Sequence, residues 1–259
     1  MTGAKIDNKR SPLKQHPLRT PGESLSEERE RLLYDELAPT LTLAVVMVAF
    51  AAVQWWAFLV KAPPQPIPAT LLAAGAVGYC AYRFRKAVPR LRNLNLGLDG
   101  EKSVGQFLEA HRAADWHLFH DVRGPGFNVD HILVTPKGVF AVETKTRRKP
   151  ARGQAVVKYD GDRVLVNGLE PDRDPVVQAR AARNWTRDLL FETTGIQYPV
   201  RGVVVFPGWF VEPPKGGKRP DIWVLNEKAF VKFVENEAVV VKSEDVALAS
   251  ARLVNYMTK

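Results

Sequence analysis

The sequence predicts an α/β domain over residues 97–259, carried behind two membrane-spanning helices. Three observations predict it. Residues 40–60 are 21 positions without one charged side chain. A shorter apolar stretch over 69–84 and a basic cluster follow. Beyond residue 97, short apolar runs bounded by turn residues alternate with helical periodicity.

At 259 residues the chain has room for one sizeable core plus a smaller module. Its single cysteine, Cys80, excludes an intrachain disulfide and any cysteine-rich zinc site, which suits a reducing compartment. The net charge of +9 is uneven. Residues 1–96 hold 13 Lys+Arg against 7 Asp+Glu, or +6, and residues 97–259 hold 24 against 21, or +3. The excess lies beside the apolar segments, so it speaks for membrane topology as much as for nucleic acid.

Residues 1–38 read as a cytoplasmic, largely disordered tail, rich in Lys, Arg, Pro and Gly up to residue 25. Within it Ser26–Leu37 has the pattern of a short charged helix with Ser26 as N-cap. Residues 39–84 read as a transmembrane helical hairpin. At about 1.5 Å per residue the uncharged run Thr40–Val60 crosses a hydrocarbon core of roughly 30 Å, with Trp55, Trp56 and Lys61 at its interface end. After a Pro-rich turn, Ala69–Phe84 supplies the second span.

Residues 85–96 form a basic juxtamembrane linker: Arg83, Arg85, Lys86, Arg90 and Arg92 precede the next acid, Asp99. By the positive-inside rule both termini face the cytoplasm, and the chain is expected to be a multi-pass protein of the cell membrane. Its Ala-, Arg- and Val-rich composition points to a bacterium. A buried hairpin in a soluble protein is the alternative, and the uncharged length weighs against it. A cleaved signal peptide is at odds with an apolar run that begins some forty residues in.

In the domain, Leu98–His111 reads as a helix, and Trp116–Val122, Val129–Thr135 and Val139–Thr144 as strands, the last two joined by the turn Pro136-Lys137-Gly138. Ala155–Tyr159 and Arg163–Val166 flank Asp160-Gly161-Asp162, a hairpin signal. Asp174–Thr193 reads as a helix, Gly202–Phe206 and Ile222–Leu225 as strands, and Glu227–Val234 and Glu244–Tyr256 as closing helices.

Five residues carry candidate chemistry: Glu101, Asp130, Glu143, Lys145 and Gln178. Strand alternation sends Glu143 and Lys145 to one side and puts Asp130 on the face of Ile132 and Val134. In a β hairpin all three lie far from the turn and converge at one end of the sheet. Glu101 shares a helical stripe with Val104, Gly105 and Leu108, and Gln178 falls in line with Ala182, Trp185 and Leu189, so both polar groups face the core side and need partners. Two carboxylates and a lysine at one point suit a divalent cation, since Mg²⁺ is commonly held by one or two carboxylates with water and phosphate oxygens.

The runs G-L-D-G-E at 97–101, V-D-H-I-L-V at 129–134, G-V-F-A-V-E-T-K at 138–145 and P-V-V-Q-A at 175–179 resemble the nuclease-related domain (NERD) family within the PD-(D/E)xK phosphodiesterase superfamily. The resemblance covers about residues 97–210. It implies a restriction-endonuclease-like core, a mixed central sheet flanked by helices, with Asp130 and Glu143 as metal ligands and Lys145 at the scissile phosphate. It also implies Glu101 as a helix-borne acid near the metal and Gln178 as a helix residue closing the site. Val129 stands where the superfamily's name has proline, a position where that proline is often missing. The implied activity is Mg²⁺-dependent hydrolysis of nucleic-acid phosphodiesters, with Mn²⁺ as the alternative ion and DNA ahead of RNA as substrate.

Alone, the Glu143–Lys145 pair would read as an exposed ion pair worth at most about 1 kcal/mol. Its place at the end of an apolar strand, after Val-Asp-His and Gly-Glu, is what favours a site. Arg147, Arg148, Lys149 and Arg152, with Arg180, Arg183 and Arg187 on the later helix, suit a phosphate backbone; a solvated basic surface or contact with anionic lipid explains each cluster as well. His131, His117 and His120 read as packed or strand-flanking histidines, and Trp209, Phe210 and Trp223 as core aromatics or base-stacking platforms. Two rival functions remain: a non-catalytic nucleic-acid-binding or scaffolding protein at the membrane, and a membrane-organising hairpin with a partner-binding domain.

Overall fold

The computed structural model describes residues 18–61, 66–150, 154–214 and 220–258. The chain divides into two units, Gly22–Lys102 and a sheet-bearing unit of Met1–Pro21 with Ser103–Lys259. The boundary lies six residues beyond the expected one at residue 97, and it falls inside a helix.

In the Gly22–Lys102 unit, helix α1 (Glu23–Arg31), a π-helical turn (Leu32–Leu37) and α2 (Ala38–Leu59) form one uninterrupted 37-residue helix. Residues 23–37 are therefore ordered, and the helix expected at Ser26–Leu37 continues directly into the apolar segment. The wide turn ends two residues before Pro39, which has no N–H for the carbonyl one turn back and whose ring crowds it; a π turn relieves that conflict.

Helix α3 (Pro66–His111) is 46 residues long and passes through Pro89. The apolar stretch over 69–84, the basic segment 85–96 and the helix over 98–111 are thus one helix, so the basic segment is helical. Among the described residues one helix, Glu23–Leu59, is long and apolar enough to cross a membrane, where two were expected. The apolar part of α3 from Pro66 to Tyr82 is 17 residues, at the lower end of the roughly 17–25 that membrane-spanning helices use. The two helices still pack: Ala51 lies against Ala69 and Ala73 with Met47 beside them, and Trp55 Nε1 donates to Thr70 Oγ1 at 2.9 Å. Small side chains are what permit such close approach.

The sheet-bearing unit contains β1 (His117–Gly124), β2 (Phe127–Thr135), β3 (Gly138–Thr144), β4 (Val156–Tyr159), β5 (Val164–Val166), α4 (Pro175–Thr194), β6 (Val200–Val205), β7 (Phe210–Glu212), β8 (Ile222–Leu225), α5 (Glu227–Asn236) and α6 (Ser243–Met257). Five strands form a mixed sheet in the order β1-β2-β3-β6-β8, antiparallel through β3 and parallel beyond it. A small second sheet, β5-β4-β7, holds the Asp160-Gly161-Asp162 hairpin. β7 escapes sequence reading because it is three residues between proline-bearing turns.

Alternation sorts the core into two layers. Ile132, Val134, Val139 and Ala141 meet Ala182, Leu189 and Leu190 of α4 and Val246, Ala249 and Leu253 of α6. Leu133, Phe140, Val142 and Val203 meet Val104 and Leu108 at the end of α3, and Phe230, Val231 and Val234 of α5. A strand covered on both sides reads as a continuous apolar run, as β3 does.

Asp174 caps α4, accepting the Val176 N–H at 2.8 Å, and Pro175 follows at the first helical position. Gly202 lets α4 lie down on β6. A Cβ there would stand 2.7 Å from the Ala179 carbonyl oxygen and 2.6 Å from Ile222 Cδ1, and the carbonyl belongs to backbone that cannot swing aside. Gly202→Ala is expected to destabilise the domain by about 1–3 kcal/mol, read as a lowered thermal midpoint; an unchanged midpoint would mean that α4 shifts freely on the sheet.

Candidate active site at the ends of β2 and β3

The β2–β3 ladder pairs Thr135 with Gly138 at the turn and His131 with Val142 at its far end. One step further, the same register sets Asp130 opposite Glu143, and opposite Cβ atoms of such strands are about 5 Å apart. Both acids are largely buried, at 7 % and 8 % exposure. Asp130 Oδ2 accepts the backbone N–H of Thr144 at 2.6 Å, so the Asp130 side chain bridges to β3 just past the last paired residues. Lys145 Nζ donates to Glu143 Oε1 at 2.5 Å, and the Lys145 backbone N–H is tied to the Val205 carbonyl at 2.8 Å. The ammonium is the more exposed end of that pair. Asp130, Glu143 and Lys145 are therefore gathered.

Gln178 lies in the first turn of α4, half-buried, and its Oε1 is a buried acceptor without a hydrogen-bond partner. α4 covers the face that carries Val139 and Ala141, which is also the Glu143 face by alternation. That oxygen keeps its capacity to accept a hydrogen bond. Glu101 is buried at 8 % exposure on α3, and belongs to the Gly22–Lys102 unit. Among the described residues no group of three or more His, Cys, Asp or Glu is arranged to hold a metal ion. Two carboxylates remain, a donor set that suits Mg²⁺ better than a metal needing a full protein cage.

Asp121 was not singled out from sequence. It stands between the pairs His120–His131 and Val122–Val129, across from Asp130, with φ at 49° and no exposure. Arg19 binds its Oδ2 through Nε and Nη2, both at 2.7 Å, and Asn128 Nδ2 donates to Oδ1 at 2.8 Å. The acid therefore anchors residue 19 to the sheet. No sequence signal joins residues 19 and 121; only the β1–β2 register brings Asp121 beside the site.

His131 is fully buried, its Nδ1 2.9 Å from His120 Nδ1, and its Nε2 has no partner. Burial, then the neighbouring His120, push it down to about 3 from 6.5. Burial also lowers His120, against the pull of Glu109 at 3.4 Å. Because the folded His131 resists protonation, the unfolded chain takes up a proton first, so this contribution to stability is complete above pH 6.5 and is lost as pH falls toward 3. Unfolding free energy is expected to drop by about 1.4 kcal/mol per pH unit in that window on account of His131. Denaturant titrations of wild type and His131→Phe check it: equal slopes would show that His131 takes up its proton as readily in the fold as in the unfolded chain.

The basic groups divide. Arg147, Arg148 and Lys149 are exposed, with Asp172 at 3.9 Å as the nearest carboxylate to Arg147; Arg152 lies outside the described residues. Arg180 and Arg183 do not form a free phosphate-facing row, because both bind Asp221 at 3.1 Å, and Arg187 pairs with Asp188 at 2.8 Å. Trp209 and Trp223 are core residues, while Phe210 is exposed. Trp223 lies under the Arg201 guanidinium at 4.6 Å.

Residues 96–207 match the family model of the nuclease-related domain, NERD. That segment contains Glu101, Asp130, Glu143, Lys145 and Gln178. No curated protein and no solved structure matches the chain.

Proposed function

We propose that the chain is a membrane-anchored, Mg²⁺-dependent nuclease of the PD-(D/E)xK type with a restriction-endonuclease-like core. The observation that carries this reading is the Asp130 carboxylate locked to the Thr144 N–H beside the Glu143–Lys145 pair, at one end of a mixed sheet within a nuclease-related segment. Asp130 and Glu143 would hold the cation, which supplies Lewis-acid polarisation of a phosphoryl oxygen. Mn²⁺ is the substitute ion.

The chain's own groups do the rest. The Thr144 N–H fixes the Asp130 carboxylate, so little reorganisation is needed when substrate arrives. Lys145 leaves Glu143 Oε1 to meet the charge that builds on the scissile phosphate, or orients the attacking water. Gln178 offers its unpartnered oxygen to that water, and Glu101 is assigned to the site by the family resemblance. Arg147, Arg148 and Lys149, with Arg152, supply the phosphate-backbone contacts, DNA ahead of RNA, and Phe210 an exposed ring for a base.

Anchoring rests on the helix Glu23–Leu59, the one helix of sufficient length and hydropathy among the described residues. The Arg19–Asp121 ion pair supports a two-pass arrangement. Residue 19 precedes that helix and Asp121 follows α3, yet the two meet in one unit, so a chain that crosses must cross back. The apolar start of α3 is the return, and Arg83, Arg85 and Lys86 after it set the cytoplasmic side.

Full-length protein in detergent, given circular double-stranded DNA, single-stranded DNA and RNA, tests the reading. Cleavage in Mg²⁺ that EDTA abolishes is expected, with DNA cut ahead of RNA. Salt-sensitive binding without cutting under any divalent ion would point to a tethered nucleic-acid-binding protein.

A further inference from the structure

We propose that the Gly22–Lys102 unit contains a binding site for the phosphate headgroup of an anionic phospholipid, a site that rests on the membrane reading above. It is a cavity of about 500 Å³ between the π-helical turn and one face of α3. Tyr79, Tyr82, Arg83, Lys86 and Arg90 line it at i, i+3, i+4, i+7 and i+11, a spacing that keeps them on one side of a helix. Glu36 stands on the opposite wall. Three cations against Glu36, with Glu28 beside Arg90, leave a net charge of +1.

The cations are incompletely satisfied from within. Lys86 has no ion-pair partner among the described residues. Glu36 lies 3.5 Å from Arg83 and 3.6 Å from Arg90, beyond a good charge-assisted hydrogen bond. Arg90 alone has a close acid, Glu28 at 2.7 Å. The Arg83, Arg90, Glu28 and Glu36 side chains are between one third and about one half exposed, so their mutual pairing is weak and an anion can replace it.

The position of the cavity selects the anion. Glu36 is the last charge before the uncharged run of α2, and Arg83 is the first after the apolar start of α3. The cavity therefore straddles the level at which both helices leave hydrocarbon, where a phospholipid presents its phosphate and where tyrosine rings are favoured. Free phosphate has no reason to gather at that depth. Basic pockets between membrane helices on the cytoplasmic side are suited to such headgroups.

The test uses the full-length chain in phosphatidylcholine vesicles without and with phosphatidylglycerol, followed by native mass spectrometry of the lipid retained. One phosphatidylglycerol per chain, held in preference to phosphatidylcholine, is expected. Lys86→Gln should weaken its retention about fivefold, and Arg83→Gln with Lys86→Gln and Arg90→Gln roughly 100-fold, at about one such step per cation. Lys61→Gln, at the far end of α2, should change nothing. Equal retention of both lipids, no effect of the triple change, or displacement by inorganic phosphate at matching concentration would overturn the site. Failure to float with phosphatidylcholine vesicles would instead overturn the anchoring.

Discussion

Glu143→Gln is expected to lower Mg²⁺-dependent cleavage by about 10³-fold or more, corresponding to roughly 4 kcal/mol of transition-state stabilisation. The substitution keeps shape and an oxygen acceptor, and removes the charge. Glu143 is nearly buried beside Asp130, which keeps its own Thr144 N–H bond, so local geometry should persist. Lys145 loses its ionic partner but retains an amide oxygen in reach. Turnover should therefore collapse while nucleic-acid binding and its salt dependence change by less than about threefold, because the cations proposed to bind the backbone, Arg147, Arg148 and Lys149, are elsewhere. Equal losses of binding and turnover would mark Glu143 as a structural acid. Lys145→Arg separates geometry from charge: a planar fork cannot reproduce a point ammonium at 2.5 Å, and partial activity at best is expected.

Arg19→Ala is expected to destabilise the sheet-bearing unit by about 3–5 kcal/mol. Asp121 has no exposure and sits at a φ of 49°, so it cannot turn toward solvent when its partner leaves. The Arg19 side chain is 14 % exposed, which makes solvent screening of the pair modest. Asn128 Nδ2 would still donate to the carboxylate. Arg19→Lys should recover part of the loss, since one ammonium replaces two guanidinium contacts, and Asp121→Asn in the Arg19→Ala background should recover more by removing the buried charge. Urea unfolding followed by far-UV circular dichroism checks the series. A loss below about 1 kcal/mol would mean that the pair behaves as a surface salt bridge.

The β2–β3 hairpin was legible because its determinants are local: Pro136-Lys137-Gly138 makes the turn, Gly138 takes a φ of 127°, and apolar alternation fixes which residues share a face. The gathering of Asp130, Glu143 and Lys145 followed from that register alone. Helix α3 reads as separate segments because an apolar stretch, a dense run of arginines and an amphipathic stretch differ in composition, whereas the backbone continues through Pro89 as one helix of 46 residues. Arg180 and Arg183 looked like a free basic row because their counter-ion, Asp221, comes from 41 and 38 residues away. Asp121 stayed hidden for the same reason, its partner lying 102 residues back in a segment whose composition suggests disorder.

Titrating the full-length protein with Mn²⁺ and following its paramagnetic resonance, with cleavage of one DNA substrate read in the same samples, reaches the central assignment most directly. Wild type should bind divalent ion at a site whose occupancy tracks cleavage, and Asp130→Asn and Glu143→Gln should lose both together. Cleavage that persists in EDTA, or metal binding that survives both substitutions, would contradict Asp130 and Glu143 as the metal-holding pair of a nuclease.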